Sequence, residues 1–261
     1  MRINHKFLTI NQQRNQLNWD NRFYTENVIL KNIDIYKPEI MFLGTFNPEL
    51  QSNPADFFYG RNFFWTAFKN LFIEGQIILN EERLAFNPFN PTLEEIFQLC
   101  IRLKLTFSDL VHSIFDEQDR NQIFVRQNKD YILFNNNEYN PISDGDLQKL
   151  NRINKANWNT RNIINYLTNN RQIKKIYLTR RSDFCWQAQL NLIIQALPDI
   201  EIIPIYTPSA QGGALHQQTG IYGNGKITPL LRHWTNNNIG NYGNLNHNNW
   251  LTNNGVNLNN F

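Results

Sequence analysis

Three segments bring together residue types able to act on a planar, polar ligand. The first is Phe42-Leu-Gly-Thr-Phe-Asn-Pro48, where an apolar run stops at Gly44 and Asn47-Pro48. The Asn47 amide can orient a water through its carbonyl oxygen, although it is a poor base; alternatively, Asn-Pro simply starts a turn. The second is Phe57-Phe58-Tyr59-Gly60-Arg61-Asn62-Phe63-Phe64-Trp65. Its rings either stack on a flat ligand or fill a core. The third is Tyr206-Thr-Pro-Ser-Ala-Gln-Gly-Gly-Ala-Leu-His216, whose small residues and glycines suit close approach to a phosphate.

The elements that must position these segments are legible from periodicity. Glu39–Leu43 is a short apolar run, read as a buried strand ending in a turn. From Asn62 a helix is expected, with Phe64, Trp65, Phe68, Leu71 and Phe72 at helical spacing. A second helix starts after Pro91, capped by Thr92 with Glu95 three residues on, and runs to about Leu103. Ile163–Leu167 and Phe184–Leu197 read as helices, and Lys175–Thr179 and Ile200–Ile205 as strands. Strand–helix–strand connections of this length imply right-handed crossovers. The expected fold is therefore α/β, a three-layer sandwich with a central, largely parallel sheet flanked by helices. Ligands of such folds bind beyond the carboxyl ends of the strands, where the first and third segments fall.

The organisation expected around this core is simple. Residues 1–38 form an N-terminal extension packed on the core, and 39–235 the α/β domain with a polar insertion at about 116–155. The Asn-rich tail, 236–261, is expected to be loose or draped on the surface.

Composition excludes several classes. The chain has 261 residues, 41% of them hydrophobic, with no apolar run near the ~20 residues that span a bilayer. Arg2, Asn4, His5 and Lys6 interrupt the start, so no signal peptide is expected. Cys100 and Cys185 lie far apart, as buried thiols of a reduced, cytoplasmic protein would. No His/Cys/Asp set has metal-ligand spacing, so neither metal nor other cofactor is expected. The net charge of +3 permits a polyanionic partner without demanding one.

Taken together, Gly44-Thr-Phe-Asn-Pro48, the aromatic loop, Asn62-Phe-Phe-Trp65, Tyr177-Leu-Thr179 and Thr207-Pro-Ser209 resemble the uracil-DNA glycosylase superfamily. The likeness spans about Glu39 to Trp234, the insertion excluded, and is strongest to the mismatch-specific uracil and hypoxanthine branches. The chain departs from the family in three places. Two residues rather than one separate Gly44 from Asn47, Glu49 replaces a glycine, and Thr207 stands where histidine or asparagine is often found.

The resemblance implies a monofunctional DNA glycosylase that flips out a base and hydrolyses its N-glycosidic bond, leaving an abasic site. The implied partner is DNA and the implied form a monomer. Asn47 is the first candidate for orienting the water; Asp119 or Asn121 is the alternative, with Asp109 fixing the pocket wall through backbone hydrogen bonds. Phe58 would stack on the flipped base, with Phe57, Tyr59, Thr45 and Phe46 beside it. Asn62 either reads a base edge or caps its helix. Thr207 and Ser209 would contact phosphate, and Gln211 or Leu215 would fill the gap left by the base. His216 contacts the base or a phosphate, or is structural. Lys174, Lys175, Arg180 and Arg181 are phosphate contacts or solvated surface. Without a Schiff-base lysine, no lyase step is expected; with two cysteines, no iron–sulfur cluster. The substrate is either a deaminated base, uracil or hypoxanthine, or a bulkier modified cytosine in foreign DNA. The role is accordingly DNA repair or defence against phage. A non-catalytic DNA-binding module of the same fold and a nucleoside or nucleotide hydrolase are the rival readings.

Overall fold

The computed structural model describes residues 2–10, 22–32, 37–49, 57–59, 63–78, 91–115, 147–148, 151, 154, 156–179, 184–206, 227–236 and 242–261. Its strands are β1 (Arg2–Asn4), β2 (Phe23–Glu26), β3 (Ile29–Asn32), β4 (Ile40–Gly44), β5 (Leu105–Asp109), β6 (Val111–Phe115), β7 (Ala156–Trp158), β8 (Lys175–Leu178) and β9 (Glu201–Pro204). The helices are α1 (Lys6–Ile10), α2 (Phe64–Lys69), α3 (Leu93–Leu103), α4 (Thr160–Asn169), α5 (Phe184–Ala196), α6 (Ile227–Asn236) and α7 (Trp250–Asn253). Among the described residues no helix is long and apolar enough to cross a membrane.

The main sheet has six strands in the order β2-β3-β5-β4-β8-β9. Strands β5, β4, β8 and β9 run parallel, joined by helical crossovers as the sequence spacing implies. The sheet as a whole is nevertheless mixed rather than largely parallel. The hairpin β2–β3 adds antiparallel strands on one edge, through a single bridge from Ile29 to Ser108. A second, antiparallel sheet has the order β1-β6-β7. The segment expected to be an extension, 1–38, thus supplies strands to both sheets. Its hairpin turns at Asn27 and Val28, with φ of 51° and 62°. Left-handed conformation at both central residues suits the twist of a two-residue hairpin, yet Asn-Val lacks the glycine that usually announces one.

Residues of β4 alternate between two cores. Phe42 joins Phe64, Phe68, Phe107 and Tyr177 on one face, with α2, α3, α6 and α7. Met41 and Leu43 join Ile163, Leu167, Trp186 and Ile193 on the other, with α4 and α5. Helix α3 begins with the anticipated capping box: Thr92 Oγ1 accepts from the Glu95 amide at 3.2 Å, and the Glu95 carboxylate accepts from the Thr92 amide at 2.7 Å.

The carboxyl-terminal residues are not loose. Leu245 and Leu251 are fully buried, and the Tyr177 hydroxyl donates to the Leu245 carbonyl at 2.8 Å. Their few apolar side chains are spaced to enter the first core, which a mean polarity hides. Of the insertion, 116–146 lies outside the described residues, whereas Leu147 is anchored in the second core.

Candidate functional site

The parallel strands β4, β5 and β8 end side by side, and there the chemistry-bearing residues of the described chain converge. Gly44 is the register partner of Asp109, and Leu43 that of Leu178. Beyond β5 the chain stays tied to β4: the Leu110 and Val111 amides donate to the Gly44 and Thr45 carbonyls at 3.1 and 3.0 Å. Asn159 braces the same turn, its side-chain amide donating to the Asp109 carbonyl at 3.0 Å.

Asp109 is 5% exposed, and its carboxylate partner is a residue the sequence reading passed over. His5 Nε2 lies 2.6 Å from Asp109 Oδ2, with the ring fully buried. The Phe7 backbone N–H donates to His5 Nδ1 at 3.2 Å. That bond assigns the lone pair to Nδ1 and the proton to Nε2, so the imidazole donates to the carboxylate. The Asp109 side chain takes the imidazole, and its carbonyl accepts from the Asn159 side-chain amide. No local pattern around His5 announces this. Its only sequence signal is the need of a buried carboxylate for a donor.

His5 also clamps the Asn47-Pro48 turn. It forms an isolated antiparallel bridge with Pro48, flanked by bonds from the Lys6 amide to the Asn47 carbonyl, 2.8 Å, and from the Glu49 amide to the Asn4 carbonyl, 2.9 Å. On the other side the His5 amide donates to the His112 carbonyl at 3.0 Å. The N-terminal segment is thus wedged between β6 and the loop that carries Thr45, Phe46 and Asn47, all three half-buried. Phe46 meets the His5 ring edge-on at 6.0 Å.

The aromatic loop is split in role. Phe58 is 2% exposed, stacked on Phe107 at 5.4 Å and tilted against Phe7 at 4.4 Å, so its ring is enclosed by aromatic neighbours. Phe57 is also buried. Tyr59 is half-buried and left-handed, φ 62°, and stacks on Phe64 at 4.3 Å. The Trp65 indole donates to the Phe58 carbonyl at 2.7 Å, tying the loop to α2.

Thr179 Oγ1 reaches the Leu43 carbonyl at 3.3 Å and shares a hydrogen bond with the Tyr59 hydroxyl at 3.0 Å. Burial raises the Tyr59 phenol well above its usual range; the Asp109 charge pushes the same way and the Thr179 bond opposes. Tyr59 therefore stays protonated near neutral pH. Gly44 forms the floor between these groups. A Cβ there would lie 2.2 Å from Asp109 Oδ1 and 3.1 Å from the Tyr59 oxygen.

Asn62, Asp119, Asn121, Arg180, Arg181, Thr207, Ser209, Gln211, Leu215 and His216 lie outside the described residues. Tyr206, where the third segment begins, is held by the Trp234 indole at 3.1 Å from its carbonyl. Lys174 and Lys175 are at the start of β8, the opposite end from the site, and Lys175 is 8% exposed. Burial lowers its ammonium against the opposing pull of Glu201. Among the described residues no three His, Cys, Asp or Glu side chains converge on a point that would hold a metal ion. No family model, no curated protein and no solved structure matches this chain.

Proposed function

We propose that the chain is a monofunctional DNA glycosylase acting at the carboxyl ends of β4, β5 and β8. The observation that carries the reading is the grouping of the clamped Asn47 loop, Asp109 and Tyr59 around Gly44, in the crevice where open α/β sheets bind ligands. The run β5-β4-β8-β9 is read as the family's parallel sheet. Asn47 orients the water. The half-buried Tyr59 and Phe46 face the flipped base, and the enclosed Phe58 supports them from within the core. The segment from Thr207 to His216 contacts the DNA backbone.

In the reaction the water oxygen bonds to C1′ as the C1′–N bond breaks, and the electron pair of that bond leaves on the base. The proton lost by the water ends on the released base. The negative Asp109 stabilises the cationic character that develops on the sugar. DNA is the proposed partner, with a monomer acting in the cytoplasm, in repair or in defence against phage.

The test is base release from a DNA panel, with abasic sites revealed by alkaline cleavage. The panel holds uracil, hypoxanthine, thymine mismatches and phage DNA with modified cytosines, each offered to wild type and to Asn47→Ala. Release from one member that is lost in the variant supports the reading. DNA binding without release from any member replaces it with a non-catalytic module.

A further inference from the structure

Between the edge hairpin β2–β3 and α4 lies a groove of about 520 Å³, a size usual for small-molecule sites. Side chains of the hairpin alternate about it. Phe23 and Leu30 enter the first core, while Tyr24, Glu26 and Lys31 line the groove. The Lys31 ammonium meets the Glu26 carboxylate and lies 5.7 Å over the Tyr24 ring. The opposite wall is α4, which supplies Asn162, Asn165, Tyr166 and Asn169. From Asn162 to Asn169 is two helical turns, a row about 10 Å long. None of the lining residues belongs to the site around Gly44.

The chemistry of this groove suits a neutral, planar ligand. Asn165 and Asn169 are exposed and make no side-chain hydrogen bond among the described residues. Each carboxamide therefore keeps donors and an acceptor side by side. Tyr166 is half-buried; it packs against the second core and also lines the groove. Charge is nearly balanced, because Lys31 is engaged by Glu26. The other lining cation, Lys37, stands at the end where α4 finishes, since β4 and β8 begin in register. The negative end of the helix dipole opposes an anion there. A polyanion, held chiefly by several cations on its phosphates, is poorly matched.

We propose that this groove is a second binding site, which takes an unpaired adenine with its ring on Tyr166 and its edge on the carboxamides of Asn165 and Asn169. An asparagine amide donates to adenine N7 while its carbonyl accepts from the N6 amino group, a two-bond match that no other base offers. A tyrosine ring stacks on any base, so Tyr166 supplies affinity and the asparagines supply the choice. The adenine comes either from a free nucleoside or from an unpaired nucleotide of a single strand; in a duplex its faces are already stacked. The site stands apart from the glycosylase reading and does not depend on it.

The test is binding of adenosine, guanosine, cytidine, thymidine and ribose, followed by NMR titration. A short oligodeoxyadenylate, single-stranded or annealed to its complement, forms a further pair of arms. The proteins are wild type, the double variant Asn165→Ala/Asn169→Ala, and Tyr166→Leu, each checked for native circular dichroism. Wild type is expected to favour adenosine over the other nucleosides by about 10-fold, and to ignore ribose. The double variant should lose about 10-fold or more in adenosine affinity, and with it the preference, while base release from the DNA panel stays at the wild-type level. Tyr166→Leu, which keeps an apolar side chain on the core, should weaken every nucleoside about 10-fold. Should it not fold, the exposed asparagines alone decide. Tighter binding of the single strand than of adenosine assigns the strand as the source, and the reverse order assigns the free nucleoside. No adenosine binding, equal binding of all nucleosides or of ribose, or adenosine binding unchanged in the double variant overturns the proposal. Loss of base release together with adenosine binding in that variant also overturns it, by placing adenine at the glycosylase site. Selective adenosine binding with no release from any DNA sustains the groove and sinks the glycosylase reading alone.

Discussion

Replacing His5 by alanine tests whether the N-terminal segment belongs to the site or merely covers it. The bond lost is short, 2.6 Å, and joins a fully buried ring to a carboxylate whose side chain is 7% exposed. A hydrogen bond to a charged group contributes about 1.5–3 kcal/mol. The ring also packs between Phe7, Phe46 and Phe58 at 5.2–6.0 Å, and the cavity left behind adds about 1 kcal/mol. His5→Ala should therefore lower unfolding stability by about 2.5–4 kcal/mol in urea titrations near neutral pH. His5→Gln, which retains a donor, should cost only about 1 kcal/mol. Combined with Asp109→Asn, the cycle should show about 2 kcal/mol of coupling. A loss under about 1 kcal/mol in His5→Ala, or additive single and double variants, would refute the dyad.

Gly44→Ala should be severe, because its Cβ would meet Asp109 Oδ1 at 2.2 Å and the other carboxylate oxygen is held by His5. A melting temperature lowered by several degrees, with base release reduced at least about 10-fold, is expected; wild-type values for both would refute the close packing. Leu251→Ala should destabilise by about 2–4 kcal/mol by denaturant unfolding, whereas a surface tail would tolerate it. His233, buried and edge-on to Tyr206, supplies a pH test. Burial pushes its imidazole down to about 4, with the Gly243 backbone opposing. The unfolded chain takes up a proton below about pH 6.5 that the native state refuses, so stability falls as pH drops from 6.5 to 4. His233→Leu should remove up to about 3 kcal/mol of that decline, and parallel pH curves for the two proteins would contradict it.

The parts of the fold that were legible in the sequence are those with local causes. Thr92 and Glu95 specify their capping box within one turn, and β4, β8 and β9 are apolar runs closed by turn residues. What could not be read depends on distant partners or atypical turns. The β2–β3 hairpin turns on Asn27-Val28, and a β-branched residue at positive φ is the opposite of a turn signal. Strand β1 is three residues long and buries one apolar side chain, too little for a period to register. Gly44, Asn47 and Tyr59 of the candidate site were visible as a motif. His5 was not, because only the folded chain brings it to Asp109.

The pairing of His5 with Asp109 spans 104 positions, and this separation sets an order of events. At roughly 5–20 residues per second, a ribosome delivers the imidazole about 5–20 s before its carboxylate exists. Until β6 emerges, Ile3 has no strand to pair with. Residues made before the main sheet are thus among the last to find their places, and chain closure over this distance slows folding. Competence therefore arrives late. A nascent chain can build α3 and pair Asp109 with Gly44 early, but the buried carboxylate gains its imidazole donor only when His5 docks.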